Sequence, residues 1–331
     1  MSGSGTTGQG THRGAAAGPR TVTVVGAGTI GLGWIALFLG HGLRVRVNSR
    51  RAEAPRIVAE SLELFAPFLE EGTADPASFA ERLEFAPDLA EAVADADVVV
   101  ENAPENLELK QELFERIGAA APPGALLLSS TSTLDPDAMG ARMKDSSRLV
   151  VGHPFNPPHV VPLVEVVAGR KTSPEAVVEA VEFLRSVGRN PVVLRRPIHA
   201  FAANRLQSAL LRESVHLVRE GVVSLAELDE VVTHSIGLRW ATVGPFLAFH
   251  LGGGQGGLRK WLGTLGAGLE KGWEQLGRPP MDEETIRSLI EQAEEAYGDR
   301  SYEELVRERD ARQTAILRTL ARLDASRAEE R

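Results

Sequence analysis

The sequence predicts an α/β fold, a doubly wound parallel sheet covered by helices and followed by an all-helical C-terminal domain. Three observations carry that prediction. From residue 21 onward, short β-branched or aliphatic runs alternate with longer amphipathic ones, as they do when helices cover a parallel sheet. The first apolar run ends in a burst of glycine and resumes as helix, in "VVGAGTIGLGW". After about Pro197 the strand signal vanishes and helical periodicity continues alone.

Taken in order, residues 1–20 are Gly-, Ser-, Thr- and Ala-rich without the apolar core of a signal peptide, and read as a disordered leader. "TVTVV" is a strand, and Ile30, Trp34, Leu37 and Phe38 then share a helical face until "GHG" stops the helix. "LRVRV" is a second strand whose alternating arginines mark a less buried face. Residues 52–71 and 76–83 read as a helical arm, and "DLAEAVADA" leads into the strand "DVVVENA". "LELKQELFERIGAAA" is a helix, and "ALLLSSTS", "RLVVGHPF", "VPLVEVVAG" and "NPVVLRR" are strands, with the helix "SPEAVVEAVEFLRSVG" before the last. Domains are expected at 21–197 and 198–331. The second holds helices in "AFAANRLQSALLRESVHLVREG", in "SLAELDEVVTHSIG" with Ser224 as N-cap, and over 283–297 and 302–325. Such a helical domain commonly supplies a dimer interface.

Composition narrows the function. The chain has 331 residues, 43% of them hydrophobic, and a formal charge of −9 without a basic stripe, which argues against nucleic acid as a partner. No cysteine is present. That excludes disulfides, thiolate metal sites and cysteine nucleophiles, and it fits a reducing cytoplasm. No apolar stretch reaches the roughly 18 residues that span a bilayer, and no metal site is expected.

Gly26, Gly28 and Gly31, with Thr29 and Ile30 between them, form G-x-G-x-x-G between a strand and a helix. In that setting the first glycine makes a tight turn, the second lets a pyrophosphate approach the backbone, and the third permits close helix packing. The unit is therefore a Rossmann-type dinucleotide site. An acid near the end of the second strand would grip the ribose hydroxyls of NAD. Here the stretch reads "VNSRR": Asn48 replaces the acid, and Ser49, Arg50 and Arg51 follow. NADP(H) is thus favoured over NAD(H), the other reading being that the arginines are a solvated helix start.

Polar clusters end the later strands: "SSTST" at 129–133, His153 in "HPFNPPH", and Glu165 inside "VPLVEVV". A carboxylate among valines needs a partner, and His153 at a neighbouring strand end is the candidate. Together they would make a general base with a fixed tautomer, the alternative being a structural ion pair. Ser132 reads either as a donor to a substrate oxygen or as a cap for the helix of "LDPDAM". Asn204, polar on an apolar helix face, reads either as an oxyanion ligand or as a tie between domains.

These motifs, together with "VENAPENLELKQELF", "NRLQSALLRE" and "GLRWATVGPFLAFHLGGGQGGLR", resemble the 3-hydroxyacyl-CoA dehydrogenase superfamily, and within it the branch of L-gulonate 3-dehydrogenase and L-carnitine dehydrogenase. The resemblance implies that His153 is the catalytic base, Glu165 its partner, and Ser132 and Asn204 the ligands of the reacting oxygen. It implies that Glu105 and Lys110 line the ribose and nicotinamide side of the cofactor, and that the protein is a homodimer through its helical domain. Two departures stand out: Asn48 in place of an acid, and Ser130 where the acyl-CoA enzymes carry asparagine.

No lysine stands between Arg51 and Leu109, and "AESLELFAPFLEEGTAD" is acidic, so a CoA carrier would be repelled from the arm after the second strand. Arg239 in "GLRW" could instead grip a free carboxylate, the alternative being an ordinary salt bridge. The expected substrate is a short free 3-hydroxy acid, gulonate- or carnitine-like. The rivals are a 3-hydroxyacyl group on CoA or a carrier protein, and a non-enzymatic dinucleotide-binding or structural role.

Overall fold

The computed structural model describes residues 20–69 and 75–329; residues 1–19 of the expected leader lie outside them. It divides into two compact units, with the break between His199 and Ala200. In the first unit β1 (Thr21–Val25) leads through a glycine turn into α1 (Thr29–Gly40). Next come β2 (Arg44–Asn48), α2 (Ala54–Phe65), β3 (Leu83–Phe85), α3 (Leu89–Val93), β4 (Val98–Glu101), α4 (Leu107–Ala120), β5 (Leu126–Ser129) and α5 (Pro136–Met139). β6 (Leu149–Pro154), β7 (Leu163–Ala168), α6 (Pro174–Ser186) and β8 (Asn190–Val193) complete it.

The strands form one sheet in the order β3-β2-β1-β4-β5-β6-β7-β8. The order reverses beside β1, so the glycine turn lies at the switch point where doubly wound sheets hold ligands. Valine and leucine fill β1, β4 and β5 because helices cover both faces. In α1 the residues from Trp34 to Gly40 are all buried, rather than one face only, and Trp34 stacks on Phe38 with ring centroids 5.2 Å apart. Each large apolar side chain buried there contributes about 1.5–3 kcal/mol.

Two elements differ from the sequence reading. Leu83, expected at the end of a helical arm, opens β3, which pairs in parallel with β2. β7 runs antiparallel to β6, so the sheet is mixed rather than parallel. The link over 155–162 holds no helix, and a parallel crossover needs a dozen or more residues.

The second unit is entirely helical: α7 (Ala203–Arg219), α8 (Leu225–Thr233), α9 (Ile236–Thr242), α10 (Gly244–Gly252), α11 (Gly257–Glu274), α12 (Glu283–Tyr297) and α13 (Tyr302–Glu329). Ser224 starts α8 through a capping box with Glu227. The Tyr297 hydroxyl donates to Asp229, tying α12 to α8, and burial first, then the bond to the Asp229 carboxylate and its charge, push that phenol up to about 12. Among the described residues no helix is long and apolar enough to cross a membrane.

Candidate active site

Strand register brings the polar residues of the sheet to one edge. Asn48 lies beside Val25, Val25 beside Glu101, and Glu101 beside Ser129. Ser129 pairs with Val151, two residues before His153. From β1 to β6 is three strand spacings, about 14 Å.

Gly26 has φ +99°, a conformation L side chains rarely adopt, and a Cβ on it would stand 2.8 Å from the Asn102 carbonyl oxygen. On Gly31 a Cβ would fall 2.0 Å from the Gly26 carbonyl oxygen, so α1 can start this close to the turn only with glycine there. Gly28 differs. It is the N-cap of α1, and a Cβ on it would meet no atom within 4 Å, facing instead a pocket of about 470 Å³. Backbone amides at the N-terminus of a buried helix, open to a pocket, suit a pyrophosphate. Thr29 and Ile30 begin the helix behind the turn.

The same pocket is lined by Asn48, Ser49, Arg50 and Arg51. Asn48 donates both amide hydrogens inward, to Ala86 O at 2.8 Å and Pro87 O at 3.0 Å. Its remaining polar atom is an acceptor, suited to a ribose hydroxyl. Ser49 Oγ accepts from the Arg51 amide at 3.2 Å and keeps its own hydrogen to donate.

His153 and Glu165 face each other across the antiparallel pair β6 and β7. Nδ1 and Oε2 are 2.9 Å apart, and the two residues are only 5% and 2% exposed. With the glutamate ionised, Nδ1 carries the proton and the ring's lone pair sits on Nε2. The Phe155 ring meets the imidazole edge-on at 4.9 Å.

The hydroxyl run at 129–133 sorts itself by partner. Ser129 donates to Glu101 Oε2 at 2.6 Å, Ser130 accepts the Trp34 indole hydrogen at 3.0 Å, and Thr131 and Thr133 donate to Glu105 Oε1 at 2.6 and 2.8 Å. Only Ser132 keeps its hydroxyl clear of side-chain partners among the described residues. It is not the cap of α5 either, because Asp135 accepts from the amides of Asp137 and Ala138 and fills that role.

Glu105 and Lys110 stand between the loops that follow β4 and β5, their charged ends 3.7 Å apart. Lys110 is 1% exposed and donates to Glu101 Oε1 at 2.7 Å and Ala103 O at 3.1 Å. Glu105 turns to the hydroxyl loop. Sequence reading missed Glu101, although an acid closing the run "VVVE" needs a partner by the same logic that singled out Glu165. On the helical unit, Asn204 lies in the first turn of α7, half-buried, and Arg239 lies exposed on α9 with no ion pair among the described residues.

A switch-point glycine turn opening on a pocket, with an imidazole backed by a carboxylate on the same sheet edge, defines a dinucleotide-dependent dehydrogenase. Residues 21–197 match the model of the 3-hydroxyacyl-CoA dehydrogenase NAD-binding domain, and 201–288 match that of the 3-hydroxyacyl-CoA dehydrogenase C-terminal domain. The chain belongs to the 3-hydroxyacyl-CoA dehydrogenase family. It is 42% identical over 313 residues to an L-carnitine dehydrogenase of Nocardiopsis dassonvillei, covering 94% of this chain and 95% of that one. To the L-carnitine dehydrogenase of Streptomyces coelicolor it is 42% identical over 305 residues, covering 92% and 96%. Among solved structures it resembles 5-formyl-3-hydroxy-2-methylpyridine 4-carboxylic acid 5-dehydrogenase, an NAD+-dependent dismutase, with a TM-score of 0.75 at 26% identity over 92% of this chain and 99% of that one.

Proposed function

We propose that the protein moves a hydride between a nicotinamide dinucleotide and C3 of a short free 3-hydroxy acid. The buried His153 and Glu165 pair carries the reading. When bound, the dinucleotide supplies the hydride acceptor or donor. His153 takes the hydroxyl proton on Nε2 during oxidation and returns it in reduction. Glu165 holds the proton on Nδ1 and stabilises the imidazolium. Ser132 and Asn204 donate to the reacting oxygen, and Arg239 grips the substrate carboxylate through its paired N–H groups.

The free acid is favoured by the lysine-free, acidic run after β2 and by relatives named for L-carnitine, itself a small free 3-hydroxy acid. A panel of L-carnitine, L-gulonate and 3-hydroxybutyrate against 3-hydroxybutyryl-CoA tests this. Turnover of a free acid with the thioester inert is the expected result; the reverse overturns the substrate assignment.

NADP(H) is favoured over NAD(H) because the pocket presents two guanidinium groups and no carboxylate at the end of β2. Arg50 would meet the 2′-phosphate, and the acceptor oxygen of Asn48 a ribose hydroxyl. Arg50→Ala is expected to weaken NADPH about tenfold, as loss of one charge-assisted hydrogen bond does, and to leave NADH unchanged. Equal or tighter binding of NADH by the parent enzyme overturns the preference.

A homodimer through the helical unit is supported by Leu206, Leu211, Phe246, Leu251 and Trp273, all large, apolar and exposed. Sedimentation at micromolar concentration is expected to give twice the chain mass, and Phe246→Lys combined with Leu251→Lys to halve it. A monomeric parent protein defeats the proposal. A cytoplasmic location is proposed from the absence of cysteine alone.

A further inference from the structure

Gly33 stands just past the glycine motif, buried in the interior of α1, where no turn calls for it and alanine would favour the helix. What excludes a side chain there is the link between β6 and β7. A Cβ on Gly33 would stand 2.6 Å from Pro158 Cδ, 3.2 Å from its Cγ and 3.3 Å from its backbone nitrogen, the first about 1 Å short of an ordinary carbon contact. The Cδ of a proline is bonded to its own backbone nitrogen, so it cannot swing aside as the end of a long side chain would. The Pro158 ring therefore packs against the bare backbone of α1.

The link is pinned at other points as well. The buried Arg189 guanidinium donates to the carbonyls of Pro158, Val160 and Val161 at 3.3, 3.4 and 3.2 Å. The amides of Val160 and Val161 both donate to Pro157 O, at 3.0 and 2.9 Å, and the His159 ring stacks on Phe65 of α2 with centroids 4.1 Å apart. A segment packed this closely does not absorb a shift where it arises; it passes the strain on. At its two ends are the strands that hold His153 and Glu165. On the other side of the contact, Gly28, the N-cap of α1 that lines the dinucleotide pocket, lies about 7.5 Å up the helix axis from Gly33.

We infer that Gly33 and Pro158 are positioning residues, whose contact sets the distance between a dinucleotide held at the head of α1 and the His153 and Glu165 pair at the ends of the link. The inference rests on the reading of that pair as the general base and its partner. It gives Gly33 a role separate from the three glycines of the motif: they shape the dinucleotide site, and it registers the chemistry against that site.

The test is a variant cycle on the full-length enzyme, using Gly33→Ala, Pro158→Ala and the two together, with the single-turnover rate, the dinucleotide dissociation constant and the melting temperature measured for each. Gly33→Ala is expected to slow the single turnover by about 10- to 100-fold, as a misplacement of about 1 Å does, with dinucleotide binding within about twofold. Pro158→Ala, which unseats the link without a clash, should slow it by about 3- to 10-fold. It also deletes the Cγ and Cδ that the new methyl would strike. The combined variant should therefore regain the rate of Pro158→Ala alone, because residues in contact couple. A Gly33→Ala enzyme at the parent rate overturns the inference, as does a loss that Pro158→Ala fails to rescue or one that falls on dinucleotide binding instead. A lower melting temperature with the parent rate in the folded fraction marks a merely structural contact and overturns it too. If Gly33→Ala does not fold, Pro158→Ala decides alone, and the parent rate there is the overturning result. His153→Gln in the same assay keeps the two readings apart: at the parent rate it removes the base itself, whereas a slow His153→Gln beside an unimpaired Gly33→Ala removes only the positioning contact.

Discussion

His153→Gln is expected to lower kcat by about 10³- to 10⁴-fold, the contribution of a well-placed general base, while dinucleotide binding stays within about threefold. Glutamine is the informative replacement. Its amide N–H can still donate toward Glu165 Oε2, which faces Nδ1 at 2.9 Å in the parent chain, so the buried carboxylate keeps a donor and the fold is spared. What is lost is a nitrogen that can take up a proton. Alanine would also strip Glu165 of that donor at a site 2% exposed, mixing catalysis with stability, since breaking a buried pair costs about 3–5 kcal/mol. Single-turnover rates with the preferred dinucleotide, beside its dissociation constant, check the prediction. A Gln variant that keeps a tenth of the parent rate removes His153 from the chemistry.

Much of this arrangement was legible in the sequence, for identifiable reasons. Valine-rich runs ending in glycine or a polar residue announce buried strands and the sheet edge where they stop, and the turn at Gly26 has few alternatives once a strand precedes it and a helix follows. The neighbourhood of His153 and Glu165 was legible because a carboxylate inside "VPLVEVV" has to be compensated by something close. Other features depend on information that periodicity does not hold. The three residues of β3 are too few to show a period and follow a helical arm. The direction of β7 is decided by the length of the link before it. The residues from Gly244 to Gly254 are apolar all round and broken by glycine, so that α10 leaves no clean stripe. Above all, side-chain direction is silent in a string of letters: Glu105 and Lys110 sit in one motif, yet one turns to the hydroxyl loop and the other into the interior. That Ser132 does not cap α5 was likewise decided by Asp135, three residues on, which fills that place and which a spacing argument cannot rank against it.

Glu165→Gln separates a catalytic pair from a structural one. The parent carboxylate can only accept, so the imidazole must place its proton on Nδ1 and its lone pair on Nε2. An amide has both faces. If its oxygen turns to Nδ1 the tautomer survives, but no negative charge offsets the imidazolium that forms as the substrate gives up its proton. If its NH2 turns there instead, the ring's hydrogen moves to Nε2 and the base is gone. Either way kcat is expected to fall by roughly 10²- to 10⁴-fold, as it does when the anionic partner of a catalytic histidine is made neutral. The fold should respond little. Removing a charge from a site this buried cancels much of the desolvation cost along with the lost attraction, so the melting temperature should stay within a few degrees, and dinucleotide binding should hold as well. A purely structural pair instead leaves kcat unchanged in the fraction that remains folded, whatever the melting temperature does. Measuring kcat and thermal unfolding on the same preparation of this one variant therefore decides whether Glu165 serves the reaction or only the sheet.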